Sequence, residues 1–336
     1  MTPEEKTKIG KWNGELSGDI KLKLLVTEDK RSKKIEEFCE HLAKLASRVD
    51  LIKDEGAPGD LPAIQIAQAV KYHAVPLGTE LEPFLKVASC LGGKVSGISL
   101  LGDDQGHSDV AGINVPAFLT LYVAQQCPFC PVVVQQLLPL TAESEFVHLT
   151  VIDGTLFPEV AQSDKIRSVP TVLLDNRFRW TGTLRMEEVV EMMVNRDPAK
   201  LSAESLESML KEGNASQVVE MMIEKEMIFP ALVDLLAHEK LFVRIGAMVV
   251  MEEIAKRRPG LAVEVIEPLW ERFFQVEDPI KGDIIHVLGE VGYQGLIPRL
   301  GVVLDGPYHT EVKEAAREAM EKITCPYKKP SPKPFE

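Results

Sequence analysis

Leu121-Tyr122-Val123-Ala124-Gln125-Gln126-Cys127-Pro128-Phe129-Cys130-Pro131 is the stretch on which the reading of this chain turns. Apolar residues of strand type run into a turn, the turn carries two cysteines separated by two residues, and a helical pattern follows from Pro131 to Leu140. A helix starting at Cys127 aims unsatisfied backbone amides and the positive end of its dipole at that thiol. Such settings draw a cysteine pKa from about 8.5 down to about 3.5 to 7.5. Cys127 is therefore expected to be a nucleophile. Cys130, one turn on, is expected to be more buried and to resolve a mixed disulfide that Cys127 forms with a partner. Pro128 suits the first helical position, where a missing amide costs nothing, and Phe129 is expected to lie exposed over the site.

Outward from this stretch, the same order of landmarks occurs earlier in the chain. Leu24-Leu25-Val26 precedes Glu28, Asp29 and a helical pattern from Ser32 to Leu45, as Leu121-Tyr122-Val123 precedes the cysteines and their helix. Apolar strands follow at Val49 to Ile52 and Val147 to Ile152, then prolines opening another strand at Pro62 and Pro170. Gly78-Thr79 and Gly182-Thr183 each precede an amphipathic helix, and only the second copy carries the insert Phe157 to Lys165. Where the second copy has its cysteines, the first has Lys30-Arg31-Ser32-Lys33, which cannot cycle between dithiol and disulfide. Cys39 and Cys90 stand alone and read as packing residues.

Val169-Pro170-Thr171 opens a strand with a proline, and a cis peptide before it is expected to turn the loop sharply into that strand. Pro170 is expected to pack against the cysteine pair, leaving the Val169 backbone and Thr171 to pair with an extended stretch of partner. Two alternatives stay open for the pair. Zinc needs about four ligands, and His107 and His148 are isolated; a static disulfide needs only the two cysteines.

After Asp197-Pro198 the pattern is helical, with breaks expected at Gly213-Asn214, Pro259-Gly260, Asp278-Pro279 and Gly306-Pro307. Val243-Arg244 with Ala247, Ile280-Lys281 with Ile284, and Val312-Lys313 with Ala316 recur at the starts of second helices. Leu232, Leu235 and Leu236, then Leu269, Phe273 and Phe274, then Leu300, Val303 and Leu304 line the preceding ones. This resembles HEAT repeats, whose stacked helix pairs present an extended protein-binding surface. His238, His286, His309, Cys325 and the Met221, Met222, Met227 group read as ordinary packing or surface residues.

With 336 residues, a formal charge of -13 and five irregularly spaced cysteines, the chain is neither a nucleic-acid binder nor a secreted disulfide scaffold. Its longest apolar runs, such as Val132 to Val134, fall far short of the roughly 20 residues of a membrane span. Met1-Thr2-Pro3-Glu4-Glu5-Lys6 shows no leader, so a cytoplasmic location is expected.

These residues resemble tandem thioredoxin-fold, glutaredoxin-like protein disulfide oxidoreductases, and especially the N-terminal domain of the alkyl hydroperoxide reductase flavoprotein. The silent first unit, Cys-x-x-Cys-Pro at 127–131, Ile152-Asp153-Gly154 leading to Phe157 and Glu159, Val169-Pro170, and Pro76-Leu77-Gly78-Thr79-Glu80 carry the resemblance, which covers about residues 15–195. Together with the repeat pattern after Asp197 and the Pro-rich C-terminal stretch, it implies α/β followed by all-α: a thioredoxin-like unit without redox motif (15–92), a connector (93–117), a second unit with the cysteines (118–196), HEAT-like repeats (200–325) and a disordered tail (326–336). It further implies that Glu80 accepts or donates a proton for Cys127 and Cys130. No Gly-x-Gly-x-x-Gly follows a strand, so no cofactor beyond the Cys127–Cys130 disulfide is expected and electrons must arrive from an external reductase. Expected partners are protein disulfides or dithiols, among them a peroxiredoxin, plus a protein on the helical repeats, with no nucleic acid and no membrane. The rival is a scaffold whose binding is switched by the disulfide without turnover. Cys-Pro-Phe-Cys is near the glutaredoxin Cys-Pro-Tyr-Cys, whose potentials are roughly -200 to -230 mV.

Overall fold

The computed structural model describes residues 1–57, 59–92, 110 and 112–324. The expected tail, Cys325, His107 and most of the expected connector lie outside them. Two compact units divide at Arg196 and Asp197.

The first unit opens with α1 (Pro3–Glu15), a helix that Thr2-Pro3-Glu4-Glu5 announces and that lies outside the expected unit boundary. Thr2 Oγ1 accepts from the Glu5 amide and the Glu5 carboxylate accepts from the Thr2 amide, satisfying two of the helix's orphan donors. Ile9 and Trp12 bury this helix, and the Trp12 indole donates to Ser89 Oγ at 2.7 Å. The unit therefore begins well before residue 15. There follow β1 (Ile20–Val26), α2 (Ser32–Leu45), β2 (Val49–Glu55), β3 (Ala63–Ile66), β4 (Val70–His73) and α3 (Leu81–Gly92), with a 3-10 turn at Gly78–Glu80 leading into α3. Next come β5 (Ala117–Val123), α4 (Cys130–Glu143), β6 (Val147–Asp153), α5 (Pro158–Ser163), β7 (Thr171–Leu174), β8 (Phe178–Thr181) and α6 (Met186–Asn195).

One eight-stranded sheet runs β2-β1-β3-β4-β6-β5-β7-β8. β1 pairs parallel with β2 and antiparallel with β3, which pairs antiparallel with β4; β5, β6, β7 and β8 repeat those relations in order. The halves join where β4 lies parallel to β6, with Tyr72 opposite Val151 and His73 opposite Ile152. Ile20, Leu22 and Leu24 alternate inward on β1 as a strand with one covered face requires, whereas all four residues of β7 are buried. α3 packs against α4, and the Gly78–Glu80 turn abuts α4, which carries the first half's Glu80 to the second half's cysteines.

The second unit is helical: α7 (Ala203–Lys211), α8 (Ala215–Lys225), α9 (Pro230–Leu236), α10 (Leu241–Arg257), α11 (Pro259–Ala262), α12 (Ile266–Phe273), α13 (Asp278–Val291), α14 (Ile297–Asp305) and α15 (Thr310–Thr324). Leu232, Leu235, Leu236, Leu269, Phe273, Leu300 and Val303 are buried. Phe274, expected on the buried stripe, is 62 % exposed, because it caps α12 one residue beyond Phe273 and so points to another side. At the expected breaks Pro259-Gly260 and Asp278-Pro279, α10 gives way to α11 and α12 to α13, and each proline sits in the first turn of the new helix, where it forfeits no helical hydrogen bond. Ion pairs join Glu220 to Arg257, Asp234 to Arg272, Arg244 to Asp283, Glu267 to Arg299 and Glu290 to Lys322, each linking a helix to a later one. Among the described residues no helix is long and apolar enough to cross a membrane.

Candidate active site

Cys127 ends the turn between β5 and α4, its amide donating to the Ala124 carbonyl at 2.9 Å. Helix α4 begins at Cys130, not at Cys127, so Pro128 lies in the bend before the helix instead of in its first turn. Pro131, with no amide to donate, holds the first-turn position. The Cys127 thiol accordingly receives one amide rather than a fan of them: the Cys130 N–H donates to Cys127 Sγ at 3.2 Å. Both cysteines are free thiols, Cys130 fully buried and Cys127 part-buried. Phe129 is 69 % exposed beside them.

On the other side of Cys127 stands the Val169–Pro170 loop, where the peptide bond is cis and the Cys127 thiol donates to the Val169 carbonyl at 3.7 Å. Pro170 is buried. Thr171 departs from the expected partner contact: its side chain is fully buried, and its hydroxyl donates to the Ser168 carbonyl at 2.8 Å and meets Thr181 Oγ1 at 3.0 Å. It holds the loop from behind.

The loop before α3 closes the site from the first half. Thr79 Oγ1 donates to the carbonyls of Gln125 and Cys127 at 2.8 and 3.2 Å, and Gln125 Nε2 donates to the Val75 carbonyl at 3.0 Å. Gly78, at φ +61°, lets the loop pass the turn so closely that an added Cβ would meet the Gln125 carbonyl at 3.1 Å. Its amide donates to Glu5 of α1 at 2.9 Å. Thr79 thus ties the two halves at the redox turn. Sequence reasoning does not find it, because a hydroxyl at the variable place of Pro-Leu-Gly-x-Glu carries no chemistry until the other half is placed against it.

Glu80 is 2 % exposed, and neither carboxylate oxygen has a hydrogen-bond partner among the described residues. Burial, and then the nearby Asp153 charge, push its pKa up to about 7. The Tyr72 hydroxyl is likewise buried without a partner, and its pKa is raised by burial and then by Glu80. Burial, followed by hydrogen bonding with Cys127, raises the Cys130 thiol, and the Glu80 charge adds to it. Asp153 Oδ1 accepts from the Thr155 amide and hydroxyl at 2.8 and 2.6 Å. Tyr72 and Asp153 are not legible as site residues in the sequence, because strand residues far apart in the chain become neighbours only through the β4–β6 pairing.

Cys39 is fully buried in α2 and burial pushes its pKa up to about 12. His148 stacks on Phe118 at 5.1 Å, and among the described residues no cluster of His, Cys, Asp or Glu is arranged to hold a metal.

Residues 119–195 match the family model of a thioredoxin domain. The chain is similar to an NADH dehydrogenase of Ferdinandcohnia aciditolerans, 25% identical over 202 residues that cover 57% of this chain and 37% of that protein. It is also similar to an alkyl hydroperoxide reductase protein of Escherichia coli, 24% identical over 208 residues, 60% of this chain and 39% of the relative. The chain thus spans little more than a third of the length of these curated relatives. Among solved structures, a protein disulfide oxidoreductase from Aeropyrum pernix superposes with a TM-score of 0.51 at 11% identity, over 60% of this chain and 95% of that one. The α/β unit has a thioredoxin-like fold, and a mostly helical part follows it.

Proposed function

We propose that the chain is a thiol–disulfide oxidoreductase working on protein partners, built from two tandem thioredoxin-like units of which the first has lost its cysteines, with a HEAT-like helical module that binds protein. The repeated strand order supports the tandem reading, and ion pairs between successive helix pairs support the array. The single observation that carries the chemistry is the free dithiol in which Cys127 Sγ, part-exposed, accepts the Cys130 amide and faces the Val169 carbonyl.

In this mechanism the Cys127 thiolate attacks one sulfur of a partner disulfide and forms the mixed disulfide, and the displaced partner thiolate takes up a proton. Glu80, poised near neutrality, removes the Cys130 proton, and the Cys130 thiolate then attacks Cys127 Sγ. That step expels the second partner thiolate, which is protonated in turn. Two electrons pass to the partner, and the chain is left as the Cys127–Cys130 disulfide. An external dithiol must restore it, and a peroxiredoxin is the acceptor suggested by the alkyl hydroperoxide reductase relatives. Pro128, Phe129, Val169 and Pro170 frame the entry, with Phe129 offering an exposed ring to the partner.

Cys130→Ser tests the reading. This variant is expected to hold a partner as a mixed disulfide through Cys127, seen as a thiol-sensitive mass adduct, and a redox titration of the unaltered pair should give a reversible couple between about -180 and -270 mV. A pair that stays oxidised below about -300 mV would instead mark a structural disulfide.

A further inference from the structure

The solvent side of the second unit changes character from one helix to the next. On α10, Leu241, Phe242, Ile245 and Val249 are each 50 to 56 % exposed and lie at helical spacing on one stripe. Matching the repeated triplets of the sequence, the same stripe on α13 passes through Asp278, Pro279, Gly282 and His286, and on α15 through Thr310, Glu311, Glu314 and Glu318. The three helices lie side by side in that register. Arg244 Nε meets Asp283 at 2.6 Å, an added Cβ on Gly289 would stand 2.9 Å from Ala319 Cβ, and Glu290 pairs with Lys322. One continuous face thus runs from an apolar end, across a strip whose carboxylate, Asp278, is paired with Lys281 at 2.9 Å, to an acidic end.

Charge orders the two ends. Glu311, Glu314 and Glu318 are exposed and form no ion pair among the described residues. At the apolar end a cation accompanies the patch, Lys211 Nζ standing 5.5 Å from the Phe242 ring centroid. An exposed apolar patch of this kind marks an interaction site; Lys211 beside it is already paired with Glu207 at 2.5 Å, and the glutamates at the far end favour basic groups there.

We propose that this face binds a protein segment with large apolar anchors at one end and Lys or Arg at the other, the anchors seated on α10 and the cations over α15. The proposal rests on the reading of the helical unit as a protein-binding array and names its face and its ligand chemistry. Neighbouring helices lie about 8 to 10 Å apart, so the two ends are separated by about 16 to 20 Å, which a helical ligand spans in about 12 residues.

The test selects random displayed peptides, about 18 residues long to exceed that span, on the immobilised full chain, then titrates a labelled winner by fluorescence anisotropy. Winners should carry apolar and basic residues about 12 positions apart. Phe242→Ala is expected to weaken binding about tenfold or more, as loss of a buried aromatic anchor does. Glu314→Lys with Glu318→Lys should weaken it similarly and abolish its salt dependence. Both changes are on exposed surface, so helicity and disulfide turnover should be unchanged.

Failure to enrich any peptide over the Phe242→Ala chain overturns the proposal, as do winners without basic residues or binding insensitive to the glutamate reversals. Self-association lost in Phe242→Ala would assign the face to a second copy, and would overturn it too. The redox reading fails separately: peptide binding as described with no disulfide turnover removes that reading and leaves the docking face.

Discussion

Glu80 is a carboxylic acid in a place built for an apolar side chain. A carboxyl group buried with neither oxygen bonded holds its proton in the folded chain up to about pH 7, whereas the unfolded chain releases it near 4.5. Across that window the native state binds more protons, so stability falls as pH rises from about 4.5 and the loss is complete above about 7. Glu80→Gln keeps the shape and removes the titration. Its thermal midpoint should vary less with pH over this window than that of the unaltered chain. If Glu80 takes the Cys130 proton, the same variant should resolve a trapped mixed disulfide about 100-fold more slowly, measured by stopped-flow release of a labelled partner thiol.

At the scale of elements, the turn between β1 and α2 holds the place in the first half's strand order that the cysteine turn holds in the second. Arg31 stands where the second half has its cysteine motif, and its guanidinium is bound on every side. It pairs with Asp29 at 2.5 Å and Glu159 at 2.6 Å, donates to the Leu156 carbonyl at 3.1 Å, and lies 4.1 Å from the centroid of the buried Phe157 ring. The turn thereby clamps the segment joining β6 to α5, which leads out of Asp153. Arg31→Ala strips charged hydrogen bonds and a stacked face from a part-buried place and should cost about 2 kcal/mol, read as a lower denaturant midpoint at unchanged slope. Arg31 also holds Asp29 down at about 2 through their hydrogen bond. That contribution is present above the ordinary Asp pKa of 3.8 and fades as pH falls toward about 2, so the variant's stability should lose this part of its acid dependence.

For the whole molecule, each compact unit buries its own core: Leu22, Leu24, Leu119 and Leu121 in the first, Leu232, Leu269, Leu288 and Leu300 in the second. Residues 1–196 expressed alone should therefore fold and reduce a model disulfide at a rate within about twofold of the full chain, since the site draws every group from this unit. A loss of turnover there, with helicity and cooperative unfolding intact, would make the helical unit part of the reaction.

What the sequence by itself determined is whatever depends on neighbours along the chain. Period and turn chemistry placed the strands around Leu24 and Leu121, the helices at Ser32 and Met186, and the run of helices after Asp197, because local hydrogen bonding and side-chain spacing are written within a few residues. The cysteine pair stood out for the same reason, and Pro-Leu-Gly-x-Glu pointed to Glu80 only through resemblance. Tertiary structure alone decided the rest: that β4 lies beside β6, that Glu80 is buried without a partner, that Thr79 bonds across to Cys127, that Thr171 turns inward and that Arg31 grips the other half. Burial, and the electrostatics that follow from it, are properties of which surfaces meet. Residues far apart in the chain acquire them only when the sheet closes the distance.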